Sequence, residues 1–351
     1  MPGPVRQADE AEGHPDDVTS PDVSVVIVTW NGRQYLDACL DAVAAQQGVR
    51  VETIVVDNAS SDGTAAHLHE RYPSVRLVAL PENRGFAGGN NAGAAEARAP
   101  FVAFLNNDTI AEPGWLGTLL AGLDEASGFA LVTSRIVYMH DPRVIDSAGD
   151  GFLRAGGAFK RMHGRRSADA DETQEVFGVC GAACLMPRRV FDELGGFDED
   201  FFASHEDVDL SYRARLLGYR VRYVPAAVVR HHGSATLGRL SPRAIFYGQR
   251  NLEWVYFKNS PRPVLLRTLV EHFAYDAAAG AYFFGTGRGW TFVRAKAAAL
   301  AGVPAMLRKR AVVQRSRRAD TDAIWRMLEP GWFGLKMREK RFDTETAVAK
   351  P

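Results

Sequence analysis

The sequence contains little cysteine and no excess of either charge. Its 351 residues include three cysteines, Cys39, Cys180 and Cys184. So few, in an odd number, exclude the disulfide framework of a small secreted domain and are typical of a reducing compartment, so we expect a cytoplasmic protein. The 42 Lys and Arg balance the 42 Asp and Glu, which argues against a chain that coats nucleic acid. We expect no nucleic-acid partner.

Long apolar runs are also missing. A spanning helix needs roughly 18 apolar residues without charge, and the nearest stretch, 268–287, is interrupted by Glu271, His272 and Asp276. The first 20 residues hold five acids, one arginine and no apolar segment. We therefore expect a disordered acidic tail over residues 1–21 and no export signal there.

From Val23 onward, short β-branched runs alternate with segments whose apolar residues have helical spacing. This alternation predicts an α/β fold, a Rossmann-like and mostly parallel sheet with flanking helices, over residues 22–240. Residues 241–351 are predicted to form a helical extension. The clearest strand predictions are 23–29, 53–56, 75–80 and 101–105.

Polar residues follow three of these strands, in segments 29–31, 57–58 and 106–108. Sheets of this kind bind ligands beyond the carboxyl ends of their strands, so we expect these side chains to converge on a crevice. Mg²⁺ and Mn²⁺ prefer oxygen ligands, and Asp108 with Asn106 suits such an ion. The alternative for Asp108 is an Asx-turn that ends the strand.

A glycine-rich segment, residues 82–93, leads into a predicted helix. Such a segment lets backbone N–H groups approach an anion at the helix start. It matches neither the G-x-G-x-x-G nor the P-loop fingerprint, so a plain strand-to-helix connection is the alternative.

Three acids, Glu206, Asp207 and Asp209, open another predicted helix. The helix dipole favours acids there, but mutual repulsion raises their proton affinity, as a general base requires. We expect Arg213 and Arg215 to hold this group, with Asp209 and Arg213 forming a structural i, i+4 pair.

His231 and His232 end an extended apolar segment. Either can serve as a metal or phosphate ligand, and a purely structural role is equally compatible with the sequence.

Together these segments resemble the inverting family-2 glycosyltransferases with the GT-A fold, especially the rhamnosyltransferase-like branch that builds bacterial cell-surface glycans. The resemblance covers residues 23–259. Its motifs are Val-Ser-Val-Val-Ile-Val-Thr-Trp-Asn, Val-Asp-Asn-Ala-Ser-Ser-Asp-Gly, Asn-Arg-Gly-Phe-Ala-Gly-Gly-Asn-Asn, Phe-Leu-Asn-Asn-Asp, Gly-Gly-Phe-Asp-Glu-Asp-Phe-Phe, Glu-Asp-Val-Asp-Leu-Ser-Tyr-Arg and His-His-Gly-Ser.

The resemblance implies a role for each matching position. Asp207 matches the catalytic base, and Asp108 is the remaining carboxylate of a divalent-metal motif in which Asn106 replaces an aspartate. His231, or else His232, matches the downstream ligand of the metal or diphosphate. The expected site residues are Thr29, Asn31, Asp57, Asn58, Arg84, Gly85 and Asn107 for the donor nucleotide, Asp207 and Glu206 for catalysis, Asp108, Asn106 and His231 for Mg²⁺ or Mn²⁺, and Asp198 and Arg250 on the acceptor side.

The implied reaction moves a sugar from a nucleotide-sugar donor to a glycan or lipid-linked glycan in cell-surface polysaccharide synthesis. dTDP-L-rhamnose is the first expectation for the donor, with UDP-sugars as an alternative. No paired carboxylate nucleophile is recognisable, so we expect a single displacement with inversion. Two other classes stay open: a nucleotide-dependent oxidoreductase, against which the missing dinucleotide fingerprint speaks, and a non-catalytic module that binds sugar or nucleic acid.

The balanced net charge conceals a segregation along the chain. Residues 241–351 carry 20 basic and 9 acidic residues, whereas residues 1–240 are net acidic. Basic helices with aromatic and aliphatic faces can lie on an anionic membrane, so we expect peripheral attachment to the inner face of the plasma membrane. Packing against the catalytic domain or a second copy in a homo-oligomer is the alternative.

Overall fold

A computed structural model describes residues 20–233 and 241–348. The predicted acidic tail lies outside these residues except for Ser20 and Pro21, and so does the last residue of the His-His-Gly-Ser motif. The strands in the described ranges are β1 (Val23–Thr29), β2 (Val51–Asp57), β3 (Arg76–Ala79), β4 (Phe101–Leu105), β5 (Thr109–Ala111), β6 (Phe129–Tyr138), β7 (Ile145–Ser147), β8 (Asp150–Phe152), β9 (Ala158–Lys160), β10 (Gln174–Val176), β11 (Ala183–Pro187) and β12 (Arg220–His231).

Helices cover both faces of the sheet and continue beyond it. They are α1 (Arg33–Ala44), α2 (Thr64–Arg71), α3 (Gly85–Ala95), α4 (Trp115–Gly122), α5 (Arg188–Glu193), α6 (Glu206–Leu216), α7 (Pro242–Asn259), α8 (Arg262–Gly285), α9 (Gly289–Ser316), α10 (Thr321–Met327) and α11 (Trp332–Val348). These elements confirm the predicted α/β fold with a helical C-terminal region.

The main sheet has the strand order β10-β12-β6-β11-β4-β1-β2-β3. Its half from β4 to β3 is parallel, and β11 runs antiparallel between β4 and β6. Thr29 lies opposite Asp57 in the β1–β2 pair, and Val26 lies opposite Phe104 in the β1–β4 pair. The polar segments that follow these strands therefore emerge at one edge of the sheet, as their positions in the sequence predict.

The glycines after Gly85 do not form the anion-binding loop that the sequence suggested. They lie inside α3, where they let the helix approach the sheet closely. A Cβ at Gly93 would stand 2.4 Å from a methyl carbon of Val26, and a Cβ at Gly89 would stand 2.7 Å from Val28. Gly85 itself starts the helix with a φ of +71°, a conformation that glycine adopts without strain.

The C-terminal helices pack on the sheet-containing part of the chain. One buried cluster joins Phe152 and Tyr212 to Trp254 of α7, Met306 of α9 and Ile324 of α10. Packing against the catalytic region, the alternative to membrane attachment in the sequence analysis, is thus present for part of the surface of these helices. None of the helices within the described ranges combines the length and the apolar character that crossing a bilayer requires.

Candidate active site

A cavity of about 570 Å³ opens at the carboxyl edge of the parallel strands. Lining residues come from the ends of β1, β4 and β12, from the start of α3 and from the N-terminal turn of α6. Among the predicted site residues, those that line the cavity are Asn58, Gly85, Asn106, Asn107, Asp108, Glu206, Asp207 and His231.

The strand ends are tied to one another by hydrogen bonds. Asn107 donates from Nδ2 to Oγ1 of Thr29 at 2.9 Å, which links the ends of β4 and β1. Asn58 accepts from the backbone N–H of Arg84 at 2.8 Å and donates to the carbonyl of Gly85 at 2.9 Å. These contacts hold the start of α3 against the cavity.

His231 is placed beside Asp108 by the pairing of β12 with β5, in which His231 lies opposite Thr109. Its Nε2 lies 3.2 Å from Oδ1 of Asp108, and its Nδ1 lies 2.7 Å from Oδ2 of Asp146. Burial opposes the charge of His231, but the two carboxylates raise its pKa to about 9. His232 is exposed and packs against Tyr35, so the structure favours His231 of the two predicted ligands.

The residues at this end of the cavity suit a divalent metal. Asp108 is buried, and the buried Nε2 of His231, 3.2 Å from Oδ1 of Asp108, does not meet hydrogen-bond geometry with any described atom, so the two potential donor atoms lie side by side. The contact of Nδ1 with Asp146 is the orientation that metal-binding histidines commonly show. A carboxylate oxygen, an amide oxygen of Asn106 and an imidazole nitrogen form a donor set that accepts Mg²⁺ or Mn²⁺.

Glu206 and Asp207 occupy the first turn of α6 at the opposite side of the cavity. Asp207 accepts backbone N–H bonds from Gly181 and Val208, each at 2.8 Å. Burial nevertheless raises its pKa. Glu206 has a buried oxygen without a hydrogen bond, and burial followed by the charge of Asp207 raises its pKa well above its usual value, against the effect of its own backbone N–H. Asp207, which accepts two N–H bonds and whose pKa is raised less, is therefore the more readily ionised acid of the pair.

Asp150 and the Cys180 thiol lie close to Asp207, all three within 4.8 Å of one another. Burial, followed by the charge of Asp207, raises the pKa of Asp150 well above its usual range. Burial likewise raises the pKa of Cys180 far above its ordinary value. A buried thiol and a carboxyl group whose pKa is raised make this cluster a poorer cation site than the Asp108 end of the cavity.

A strained loop leads into Asp207. Phe202, Ser204 and His205 have φ values of 65°, 73° and 68°, a left-handed conformation that is costly for residues other than glycine. Asn251 of α7 is buried and donates from Nδ2 to the carbonyls of Phe201, Ala203 and Ser204 at 3.0, 2.9 and 2.7 Å. Asn251 thus clamps the loop from behind.

The two predicted acceptor-side residues do not line the cavity. Arg250 donates to the carbonyls of Asp200 and Phe201, both at 2.9 Å, and its guanidinium lies over the Trp254 ring. Asp198 is half-buried and pairs with Lys258, at 2.6 Å, and with Lys309. Both residues brace the segment in front of α6.

Three of the residues predicted to bind the donor nucleotide, Arg84, Asp57 and Asn31, do not line the cavity. Arg84 pairs with Glu199 at 2.7 Å and lies outside the cavity lining. Asp57 and Asn31 bond the loop that follows β2, through the backbone N–H groups of Ser60 and Ser61 respectively. The Asp209–Arg213 pair forms as expected, at 2.8 Å.

The prediction for Arg215 is wrong. Arg215 does not hold the acids of α6 but binds Glu175 and the carbonyl of Phe177, because its side chain points toward β10.

Comparison with known proteins agrees with this geometry. Residues 24–195 match the model of the family described as Glycosyl transferase family 2. An N-acetylglucosaminyl-diphospho-decaprenol L-rhamnosyltransferase of Mycobacterium tuberculosis is 31% identical over 240 residues, which make up 61% of this chain and 77% of that protein. The chain belongs to glycosyl transferase family 2. This assignment confirms the resemblance and decides against the oxidoreductase and the non-catalytic module.

A second relative of this family-2 glycosyltransferase is a pre-mycofactocin glycosyltransferase of Mycobacterium tuberculosis, 32% identical over 254 residues. The match takes in 68% of this chain and only about half, 49%, of that protein. Among solved structures, a mannosyltransferase of Pyrobaculum calidifontis in complex with GDP-Man and Mn²⁺ has a TM-score of 0.51 at 20% identity, covering 95% of this chain and 85% of that one. The structural likeness supports the GT-A fold.

Several residues in or behind the cavity of this family-2 glycosyltransferase escaped the sequence analysis. Asp146 and Asp150, which lie behind the cavity and do not line it, belong to short strands without a clear period, and Lys160, which lines the cavity and donates to Asp146 at 2.9 and 3.0 Å, ends β9. Arg243 and Tyr247 reach the cavity from the first turns of α7. A charged residue inside an apolar run, as in Ile145-Asp146-Ser147, is the one signal that pointed to any of them.

Proposed function

We propose that this protein transfers a sugar from a nucleotide-sugar donor to an acceptor hydroxyl, with inversion at the anomeric carbon. One observation carries the proposal: a carboxylate with an elevated pKa, Asp207, faces a cavity that also holds the metal-type pair Asp108 and His231. A single displacement needs a base at one end and support for a diphosphate leaving group at the other.

Asp207 is the proposed base. Its two hydrogen bonds from backbone N–H groups orient the carboxylate, and its raised pKa brings the proton affinity closer to what general-base catalysis requires. Burial and the charge of Asp207 raise the pKa of Glu206 well above its usual range, which disfavours a second negative charge beside the donor diphosphate. The proton of the acceptor hydroxyl passes to a carboxylate oxygen of Asp207 as the hydroxyl oxygen attacks the anomeric carbon.

The other end of the cavity is proposed to hold the diphosphate. Asp108 and His231, with Asn106, would bind Mg²⁺ or Mn²⁺, which supplies Lewis-acid stabilisation of the departing phosphate when bound. Arg243 lies exposed at the cavity and presents a further cation to the phosphates. Thr29, Asp57 and Asn58 shape the strand ends against which the nucleoside is proposed to bind.

The donor and acceptor are proposed from the relatives. dTDP-L-rhamnose is the preferred donor because a relative that shares 31% identity is named a rhamnosyltransferase, and UDP-sugars are the alternative. The acceptor is proposed to be a glycan or lipid-linked glycan of cell-surface polysaccharide synthesis, since the same relative is named for an N-acetylglucosaminyl-diphospho-decaprenol acceptor.

The decisive experiment measures donor binding and turnover separately. Thermal stabilisation of the protein by dTDP, UDP or GDP, with and without Mn²⁺, identifies the nucleobase of the donor, and hydrolysis of nucleotide sugars identifies the donor sugar. Asp207→Asn should lose about 10²–10⁴-fold in transfer while binding the nucleoside diphosphate normally, because it removes the base and keeps the shape. Near-wild-type transfer by this variant, or a product that retains the donor's anomeric configuration, would overturn the mechanism.

We further propose a cytoplasmic protein that attaches peripherally to the inner face of the plasma membrane. Support comes from large apolar side chains that remain exposed on α8 and α9, including Val270 at 84%, Trp290 at 73% and Leu300 at 72%. Basic residues such as Arg294 and Arg308 lie on the same helix as Trp290. Sedimentation with anionic liposomes at low salt tests this location, and failure to bind them would exclude it.

A further inference from the structure

A second cavity, of about 640 Å³, also borders the first turn of α6. It shares Lys160, Cys180, Ser204, Glu206 and Asp207 with the first cavity. Asp207 therefore borders both cavities. An inverting transfer needs this arrangement, because the acceptor hydroxyl attacks the anomeric carbon from the face opposite the breaking bond to the diphosphate, with the base beside the hydroxyl.

The wall of the second cavity is aromatic and comes mainly from the C-terminal helices. Tyr275 and Tyr282 project from α8, and Trp332 projects from the start of α11. Tyr275 and Trp332 pack edge to face with ring centroids 5.3 Å apart. Aromatic faces of this kind bind the C–H faces of sugars and apolar chains, with little need for hydrogen bonds.

The rim of the cavity on α11 is both apolar and cationic. Phe333 and Met337, one helical turn apart, are 63% and 53% exposed although they line a cavity. Lys336 and Lys340 occupy the same stretch of helix, where Lys336 binds Glu339 at 2.7 Å and Lys340 lies over the ring of Tyr282. Lys336 and Lys340 thus bring two ammonium groups to this rim.

We propose that the second cavity is the acceptor subsite and that it takes a lipid-linked acceptor. The hydroxyl-bearing sugar lies at Asp207 against the aromatic wall, a phosphate or diphosphate lies near Lys336 and Lys340, and the apolar chain leaves across Phe333 and Met337. Large exposed apolar side chains at a cavity mouth are costly unless a ligand covers them, and an isoprenoid-like chain does so. This inference rests on the proposed transferase function.

The test uses geranyl diphosphate as a soluble probe that carries both an apolar chain and a diphosphate. The donor cavity is first filled with Mn²⁺ and whichever of dTDP, UDP or GDP stabilises the protein most, and calorimetry then measures binding of the probe. A double variant, Phe333→Ser with Met337→Ser, should bind the probe at least about tenfold more weakly, because covering one apolar side chain contributes binding free energy equivalent to roughly a tenfold change in affinity. Phe273→Ser is the matched control, since Phe273 is 61% exposed on α8 and lies outside the cavity lining.

A second variant separates the two parts of the ligand. Lys340→Met should weaken binding of geranyl diphosphate and leave binding of geraniol unchanged. The acceptor subsite is overturned, and the transferase function is kept, by either of two results. The wild-type protein and the double variant bind the probe with equal affinity, or the protein binds no probe although it binds nucleoside diphosphate and hydrolyses a nucleotide sugar. A protein that binds no nucleoside diphosphate and hydrolyses no nucleotide sugar overturns both.

Discussion

Replacing Asn251 by alanine tests whether the strained loop before Asp207 is held by a side chain far from the chemistry. The amide of Asn251 donates to three carbonyls of residues 201–204. The amide has two hydrogens to share among these three carbonyls, so its hydrogen bonds contribute about 1–3 kcal/mol together, at roughly 0.5–1.5 kcal/mol for each hydrogen. The left-handed conformations of Phe202, Ser204 and His205 cost about 1–3 kcal/mol each and persist only where the surroundings enforce them.

Because Asn251→Ala removes part of the contacts that enforce this strained conformation, the loop should relax in the variant. Relaxation returns part of the lost stability, so the free energy of unfolding should fall by only about 1–2 kcal/mol. Asp207 would move with the loop, and a displacement near 1 Å costs roughly 100-fold in rate. We therefore expect a large fall in kcat, a small fall in Tm and unchanged binding of the nucleoside diphosphate.

Steady-state transfer assays, thermal unfolding and nucleotide titration provide the three readouts. Asn259→Ala is the matched control, since Asn259 is a buried asparagine of the same helix that donates to Asp209 at 2.8 Å and does not bond the loop. The control should lose stability and keep kcat within a few-fold. If Asn251→Ala kept kcat within twofold, or lost only stability, the loop would not depend on this clamp and the reasoning would fail.

Three further predictions follow from the pKa shifts and charges around the site. The transfer rate should fall at acidic pH with an inflection above 3.8, the usual pKa of Asp, because Asp207 acts as a base only when ionised and burial raises its pKa. Glu206→Gln should keep this pH profile and most of kcat. A loss of kcat as large as that of Asp207→Asn would mean that Glu206 carries the charge. Arg243→Met should raise the donor KM about tenfold and leave folding intact, as checked by donor titration and Tm, and an unchanged KM would remove Arg243 from the diphosphate site. Asp209→Asn should destabilise the fold by about 3 kcal/mol in urea unfolding because it leaves the buried Lys258 with one acid fewer. Burial opposes the charge of Asp209, but Lys258 and Arg213 lower its pKa to about 2. In the wild type, the stability that Asp209 contributes is therefore complete above pH 3.8 and lost as the pH falls toward about 2.

Much of the fold followed from local patterns. The β-branched runs and the helical spacing between them predicted the parallel half of the sheet because burial on both faces requires continuous apolar strands. The polar ends of β1, β2 and β4 could be expected at one edge, since parallel strands end together. The acids of α6 were recognisable as a helix start from Glu206 and Asp207 alone.

Residues without such a pattern were placed only by tertiary contacts. Asp146 lies on β7, which pairs with β6, whereas Asp150 and Lys160 lie opposite each other on the β8–β9 hairpin, from which Lys160 reaches Asp146. The glycines of α3 are ambiguous in the sequence because an anion loop and a tightly packed helix require the same residue type. The distance between Gly93 and Val26 decides for packing.

The sequence by itself determined the family, the α/β fold and the short list of strand-end and helix-start residues, because these depend on residue order and periodicity. Only the tertiary structure decided which of the two acids has its pKa raised further, which histidine faces Asp108, and that the basic C-terminal helices form the wall of a second cavity at Asp207. Proton affinity and cavity shape depend on burial and on neighbours distant in the chain, and neither is encoded in local spacing.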